Sequence, residues 1–214
     1  MTPPAHFLAS WLAANCGGAN RRDRAIITVA GLLPDLDGLG YFPEWLTAST
    51  AHPVFWYSNW HHILFHNALA GIICAAAALA LAKQRWKAAL LARGAFHLHL
   101  LMDLAGARGP DGDQWAIPYL APFSDAWGLT WSGQWALDSW TNRVIGVGLL
   151  VVVIGLARRR GFSPFEIFSL RADRACIGLL RRQSAPEAAQ PAETPGGQPD
   201  APKSLGGSEP TTRR

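Results

Sequence analysis

"KAALLARGAFHLHLLMDLAG" (residues 87–106) decides how the chain is read. Its Ala and Leu content and its lack of an internal Pro predict a helix, and its length fits one. Yet it carries His97, His99 and Asp103 in an apolar setting, where unpaired polar groups are costly. His99 and Asp103 are four residues apart, so they share one helix face. His97 lies roughly 200° around the helix from His99, at about 100° per residue. Both cannot face one centre, and Asp103 makes His99 the choice. A helix of this kind needs partners for a His–Asp pair at one end, and the remaining helices must supply them.

Working outward, the sequence predicts further helices over "AHFLASWLAAN" (5–15), "DRAIITVAGLLPDLDGLG" (23–40, stopped near Pro34), "HHILFHNALAGIICAAAALALAK" (61–83) and "NRVIGVGLLVVVIGLARRR" (142–160). "SPFEIFSLRADRACIGLLRR" (163–182) is basic and amphipathic, and Ser163-Pro164-Phe165-Glu166 has the pattern of a capping box. No alternating run reads as a strand. The expected fold is therefore all-α: an antiparallel bundle of about five apolar helices plus the basic helix. The expected division is 1–160 for the bundle, 161–182 for the basic helix and 183–214 for a tail. That tail is rich in Pro, Gly, Ala, Ser and Gln and is expected to be disordered. No basic segment precedes the first apolar stretch, so no cleaved signal is expected. Cys16, Cys74 and Cys176 are far apart, which argues against a disulfide framework and against a cysteine zinc site.

Half of the chain is hydrophobic, but its uncharged runs are short. A run of sixteen residues reaches roughly 24 Å, against a hydrocarbon core of about 30 Å. Charge placement is more informative than length. In an antiparallel bundle, "RRDR" (21–24), "KQRWK" (83–87) and "RRR" (158–160) fall at one pole, with the sixth helix and the tail beside them. All of the nineteen Lys and Arg lie there except Arg93, Arg108 and Arg143. The opposite pole carries Trp115, Trp127, Trp131, Trp135 and Trp140 in a Pro- and Gly-rich loop. A positive-inside bias facing an aromatic belt predicts an inner-membrane protein with the basic helix and tail in the cytoplasm. Arg93, close to Lys87, would snorkel. The sixth helix, with Phe165, Phe168, Ala172, Cys176 and Leu179 on one face, suits an anionic lipid surface; packing on the bundle is the alternative.

The same threading brings His6, Asp35, Asp37, His61, His62, His66, His97, His99 and Asp103 to the pole opposite the basic clusters. If 61–83 is one helix, His62 and His66 share a face. Imidazole and carboxylate are ligands of zinc, manganese and non-haem iron. The set exceeds the needs of one tetrahedral ion and suits two or three. Two close ions can hold a phosphate ester, acidify a water and stabilise a leaving oxygen. The candidate metal residues are His6, Asp35, Asp37, His61, His62, His66, His99 and Asp103. Asp35 or Asp37 is the candidate base. Asp111 and Asp113, in "GPDGDQW", read as loop residues outside the site.

Four segments occur together and in order: "GLLPDLDG" (31–38), "WHHILFHN" (60–67), "HLHLLMDL" (97–104) and "GPDGDQWAIPYLAPFS" (109–124). With these, residues 5–157 resemble the LexA-binding, inner-membrane-associated metal-dependent hydrolases. That family looks distantly similar to zinc-dependent phospholipases C and single-strand nucleases, all-helical proteins that bind three zinc ions through His and Asp. The resemblance implies that His6 is the early histidine. Asp35 and Asp37 form the Pro-Asp-x-Asp element, His61 and His66 the His-x-x-x-x-His element, and His99 and Asp103 the His-x-x-x-Asp element. Many members carry Arg where this chain has His62, which leaves the choice between His61 and His62 open. The expected activity is hydrolysis of a phosphoester in a phospholipid or nucleic acid, using zinc or manganese, with membrane lipid as the other partner. The rivals are a non-enzymatic membrane protein that binds or transports divalent metal, and, ranked last, a bis-histidine haem bundle.

Overall fold

A computed structural model of the chain describes residues 1–109, 112–124 and 126–182. Asp111 and the tail from 183 onward lie outside them. The long elements run antiparallel in chain order: α1 (Pro3–Asn15), α2 (Arg21–Ala30), α5 (Ala68–Leu81), α6 (Arg85–Gly106) and α7 (Trp140–Arg160). Between α2 and α5 come a 3-10 segment (Leu33–Gly40) and two short helices, α3 (Tyr41–Thr47) and α4 (Trp56–Trp60). A 3-10 turn (Pro164–Ile167) leads into α8 (Leu170–Arg182). Among the described residues the regular structure is helical apart from a two-residue pairing of β1 (Ile117–Pro118) with β2 (Gly128–Leu129) and a single bridge between Arg108 and Ala136, all too short to leave a strand pattern.

The core is a seam of small side chains. On α5 it presents Ala70, Cys74 and Ala78; on α6 it presents Ala88, Ala89, Ala92, Ala95 and Phe96. Alanine lets two backbones approach closely, as small residues do between membrane helices. Gly31 serves the same end between α1 and α2, since a Cβ there would lie 2.1 Å from Ser10 Oγ. The outer faces remain apolar and exposed: Ile72, Ile73 and Leu81 on α5, Leu90 and Leu101 on α6, and Val144, Val147, Leu150, Val151 and Val152 on α7. Among the described residues, two helices, α6 and α7, are long and apolar enough to cross a membrane. α2 and the Leu33–Thr47 stretch would make a third span, bent by 49°.

Several expected boundaries are corrected. The second helix stops at Ala30, before Pro34, because Leu33–Gly40 tightens into 3-10 turns. The third begins at Ala68 rather than residue 61. Asn67 caps it, accepting from Ala70 N while donating to the carbonyls of Ile63 and Leu64. His61, His62 and His66 therefore precede the helix and do not share one of its faces. The capping box at Ser163 does not form either: Ser163 Oγ and N both bond Asp173 Oδ1, at 2.7 and 2.6 Å. Glu166 turns to Arg24 instead, and a 3-10 turn separates the two halves of the expected sixth helix.

Two buried carboxylates, Asp23 and Glu166, join the basic pole. Asp23 accepts from the backbone N–H groups of Lys83 and Gln84, tying α2 to the α5–α6 turn. Arg24 makes a two-pronged pair with Glu166, at 2.7 and 2.6 Å, and lies 3.9 Å from the Phe162 ring centroid. On α8, Asp173 and Ile177 turn inward, while Leu179 stays exposed, as do Phe165 and Phe168 in the turn before it. Removing one partner of a buried pair leaves an uncompensated charge. Glu166→Ala is expected to cost about 3 kcal/mol in denaturant unfolding of the detergent-solubilised protein, and Arg24→Met in the same chain should recover much of that loss.

Candidate metal centre

Asp103 Oδ1 lies 3.0 Å from His6 Nε2 on α1. Its Oδ2 lies 3.3 Å from His66 Nε2 and 3.1 Å from His99 Nε2. One carboxylate thus touches histidines from three places in the chain, at the pole opposite the basic clusters. The α-amino group of Met1 also contacts Asp103 Oδ1.

The histidines are aimed by groups behind them. His99 Nδ1–H donates to the carbonyl of Gly31, at 2.8 Å, which leaves the Nε2 lone pair facing the cluster. Asp37 accepts from two rings, His61 Nδ1 at 3.0 Å and His66 Nδ1 at 2.9 Å. His6 and His99 stack with centroids 3.6 Å apart; His62 and His66 stack at 4.3 Å. His97 points away and bonds Arg93 O and Tyr119 Oη.

Two sets could each hold a cation: His6, Asp35 and His99, and His62, His66 and Asp103. Within each set, one donor atom per residue lies within 4.8 Å of the others. Asp103 touches members of both. Buried His6 Nδ1, Asp35 Oδ2, His62 Nδ1 and His99 Nε2 have no hydrogen-bond partner. With Nδ1–H committed to Gly31 O, His99 Nε2 and Asp103 Oδ2 are two acceptors 3.1 Å apart, as two donors to one cation would be. Unpaired polar atoms of this kind are rare in protein interiors, and their concentration here fits a cation site. Asp37 and His61 fall outside both sets, with Asp37 occupied by its two histidines.

His66 sits between two carboxylates, Asp103 at one ring nitrogen and Asp37 at the other, and His62 is buried against it. His62 also has φ of 62°, the one positive value at a non-glycine among the described residues. Such a conformation persists only where the surroundings impose it, and functional sites are where it collects.

All eight residues expected at the site lie at this one pole. Several contributors were missed. Tyr57 stacks on His61 at 4.4 Å, and Trp115 sets its edge against His61 and His62 at 5.4 and 4.8 Å. Buried Gln134 donates to Asp103 O and accepts from Trp115 N, holding the Trp loop on the end of α6. Asn142 bonds the carbonyls of Gly106 and Leu137 beside it. Trp115 stood in a noted segment, "GPDGDQW"; nothing local in the sequence marked Gln134, while Tyr57 stands four residues before His61, one helical turn away. Asp113 lines a cavity beside the cluster with Tyr57, Ser58 and His62.

Residues 1–178 match the YdjM inner membrane protein family, and the chain belongs to it. No curated protein and no solved structure matches the chain. Family membership and the two spanning-type helices make it a membrane protein.

The strain at His62 is separable from its ring. His62→Gly and His62→Ala both remove the imidazole, but only Gly takes a positive φ without a steric cost. The Gly variant should be more stable than the Ala variant by about 1 kcal/mol in thermal unfolding of the metal-free protein. Equal stability of the two would show that the backbone there relaxes freely.

Proposed function

We propose that the protein is a metal-dependent hydrolase of phosphoesters, with two or three divalent ions, zinc or manganese, held by the His/Asp cluster. The observation that carries this reading is Asp103, a buried carboxylate in contact with three histidines and common to two potential ion sets. Ions bound there would supply the charge that draws an ester oxygen and acidifies a water.

The chain's own groups divide the remaining work. Asp35 keeps an unpartnered Oδ2 and lines the cavity at the cluster, so it is placed to take a proton from water. The water oxygen bonds phosphorus, one phosphorus–oxygen ester bond breaks, and the proton passes to the departing oxygen. Asp37 fixes the rings of His61 and His66. Trp115 and Tyr57 cover His61 from two sides, limiting water around it. The basic pole, with α8, its exposed Leu179 and the exposed Phe165 and Phe168 of the preceding turn, faces the cytoplasmic leaflet, and the cluster faces the other side.

Two measurements test this. His66→Ala and Asp103→Asn should lose bound metal and at least about a hundredfold of phosphodiester turnover while keeping helical circular dichroism; a chelator should do the same to the unmodified protein. Bound metal without turnover of phospholipid, nucleotide or nucleic acid would favour a metal carrier instead. For orientation, reporter domains fused after Arg160 and within the 107–139 loop should give cytoplasmic and non-cytoplasmic signals respectively. A cytoplasmic signal from the loop fusion would refute the assignment.

A further inference from the structure

We propose that the substrate is a bilayer phospholipid, its phosphate at the His/Asp cluster and an acyl chain along Leu36, Leu39 and Leu64. This rests on the hydrolase reading above and adds the substrate class.

Three adjoining cavities motivate it. The first, about 640 Å³, has Asp35, His61, His62 and Asp103 on its lining together with Leu36, Leu39 and Phe42. The second, about 470 Å³, shares Leu36 and Leu39 with the first and continues to Trp60, Leu64 and Phe65. The third, about 520 Å³, shares those last three residues and ends against Ile73 on the outer face of α5. An apolar trough therefore leads from the ligand cluster to a surface already suited to lipid.

The rim is apolar as well. Leu39 is 55 % exposed, Phe42 60 % and Leu64 48 %. Scattered surface leucines mean little, but a continuous apolar patch leading from a polar cluster marks a ligand or membrane contact. Charge separates the candidate phosphoesters. Nucleic acid is held by Lys and Arg against its phosphates. None of the described residues lining the three cavities is Lys or Arg, and Asp113 adds negative charge beside the cluster.

Depth agrees. α5 has 14 residues, which at about 1.5 Å each is roughly 21 Å, short of a hydrocarbon core of about 30 Å. With Lys83 at one membrane surface, His66 stops short of the other. The irregular backbone of 61–66 then lies at acyl-chain level, where such backbone is tolerated only if buried in protein or lining a cavity. A phosphate would reach this cluster most directly from within the leaflet.

The test uses the full chain in lipid nanodiscs. A phosphatidylglycerol bearing a diazirine near the end of one acyl chain is photolysed with the metal-free protein, and labelled peptides are mapped. Labelling should concentrate in 36–65, be competed by unlabelled phosphatidylglycerol, and fall about fivefold in Leu39→Asp and Leu64→Asp, where charge opposes burial of the chain. Both side chains are exposed, so the changes leave the core intact. In the zinc-loaded protein, kcat/KM should rise about tenfold from a short-chain, water-soluble phosphodiester to its longer-chain homologues. That dependence should flatten in Leu39→Asp. Turnover without chain-length dependence, or faster cleavage of a single-stranded oligonucleotide, would overturn the lipid substrate and keep the hydrolase. Labelling only on the outer face of α7 would also overturn it. Groove labelling with no turnover of any phosphoester would refute the hydrolase reading and the substrate role with it.

Discussion

Asp103 sets the terms for the rest of the molecule. It is a buried carboxylate three residues before the end of α6. Isolated in an apolar bundle, an ionised carboxylate would be too costly to retain. It is also at the C-terminal end of its helix, where the backbone dipole disfavours negative charge. Nearby positive charge is therefore required, and α1, the 61–66 segment and α6 itself each bring a histidine to it. Once that demand is fixed, other features follow as support. Gly31 offers its carbonyl to His99, Asp37 takes the far nitrogens of His61 and His66, and Gln134 fixes the carbonyl of Asp103 itself.

The parts legible in the sequence were those set by helical period and by charge. His99 and Asp103, four apart on a helix, do contact each other, while His97, two before His99, faces Tyr119. Antiparallel threading placed the basic clusters together, as the Asp23 contacts to Lys83 and Gln84 require. Local signals failed where tertiary partners outcompeted them. "HHILFHNALAG" has helical composition throughout, yet Asn67 starts the helix, and residues 61–66 fold around Asp37 and Asp103 instead. Ser163 and Glu166 have the spacing of a cap, but Asp173 and Arg24 offer each a charged partner, and charge-assisted bonds are the stronger ones. Gln134 acts through contacts across long stretches of chain, for which no periodicity exists, whereas Tyr57 stands one turn before His61 on a short helix that the reading of 61–83 as one helix left out.

The charges on α6 run against its own dipole. Arg85 and Lys87 stand in the first turn, where anions are favoured, and Asp103 in the last, where cations are favoured. Each unfavourable end is worth about 0.3–1 kcal/mol, so the arrangement does not serve the helix. Two other helices follow the rule at their C-terminal ends: Arg158–Arg160 close α7, and Arg181 and Arg182 close α8. At the first turn of α6, Asp23 supplies the missing anion by accepting the N–H groups of Lys83 and Gln84. At the last turn, the histidine cluster supplies positive charge or a place for it. The inverted helix is thus held by one compensation at each pole. Its basic start lies among the other basic clusters, and its acidic end lies among histidines from three places in the chain. The charge pattern that strains α6 as a helix is the pattern that makes the bundle two-ended.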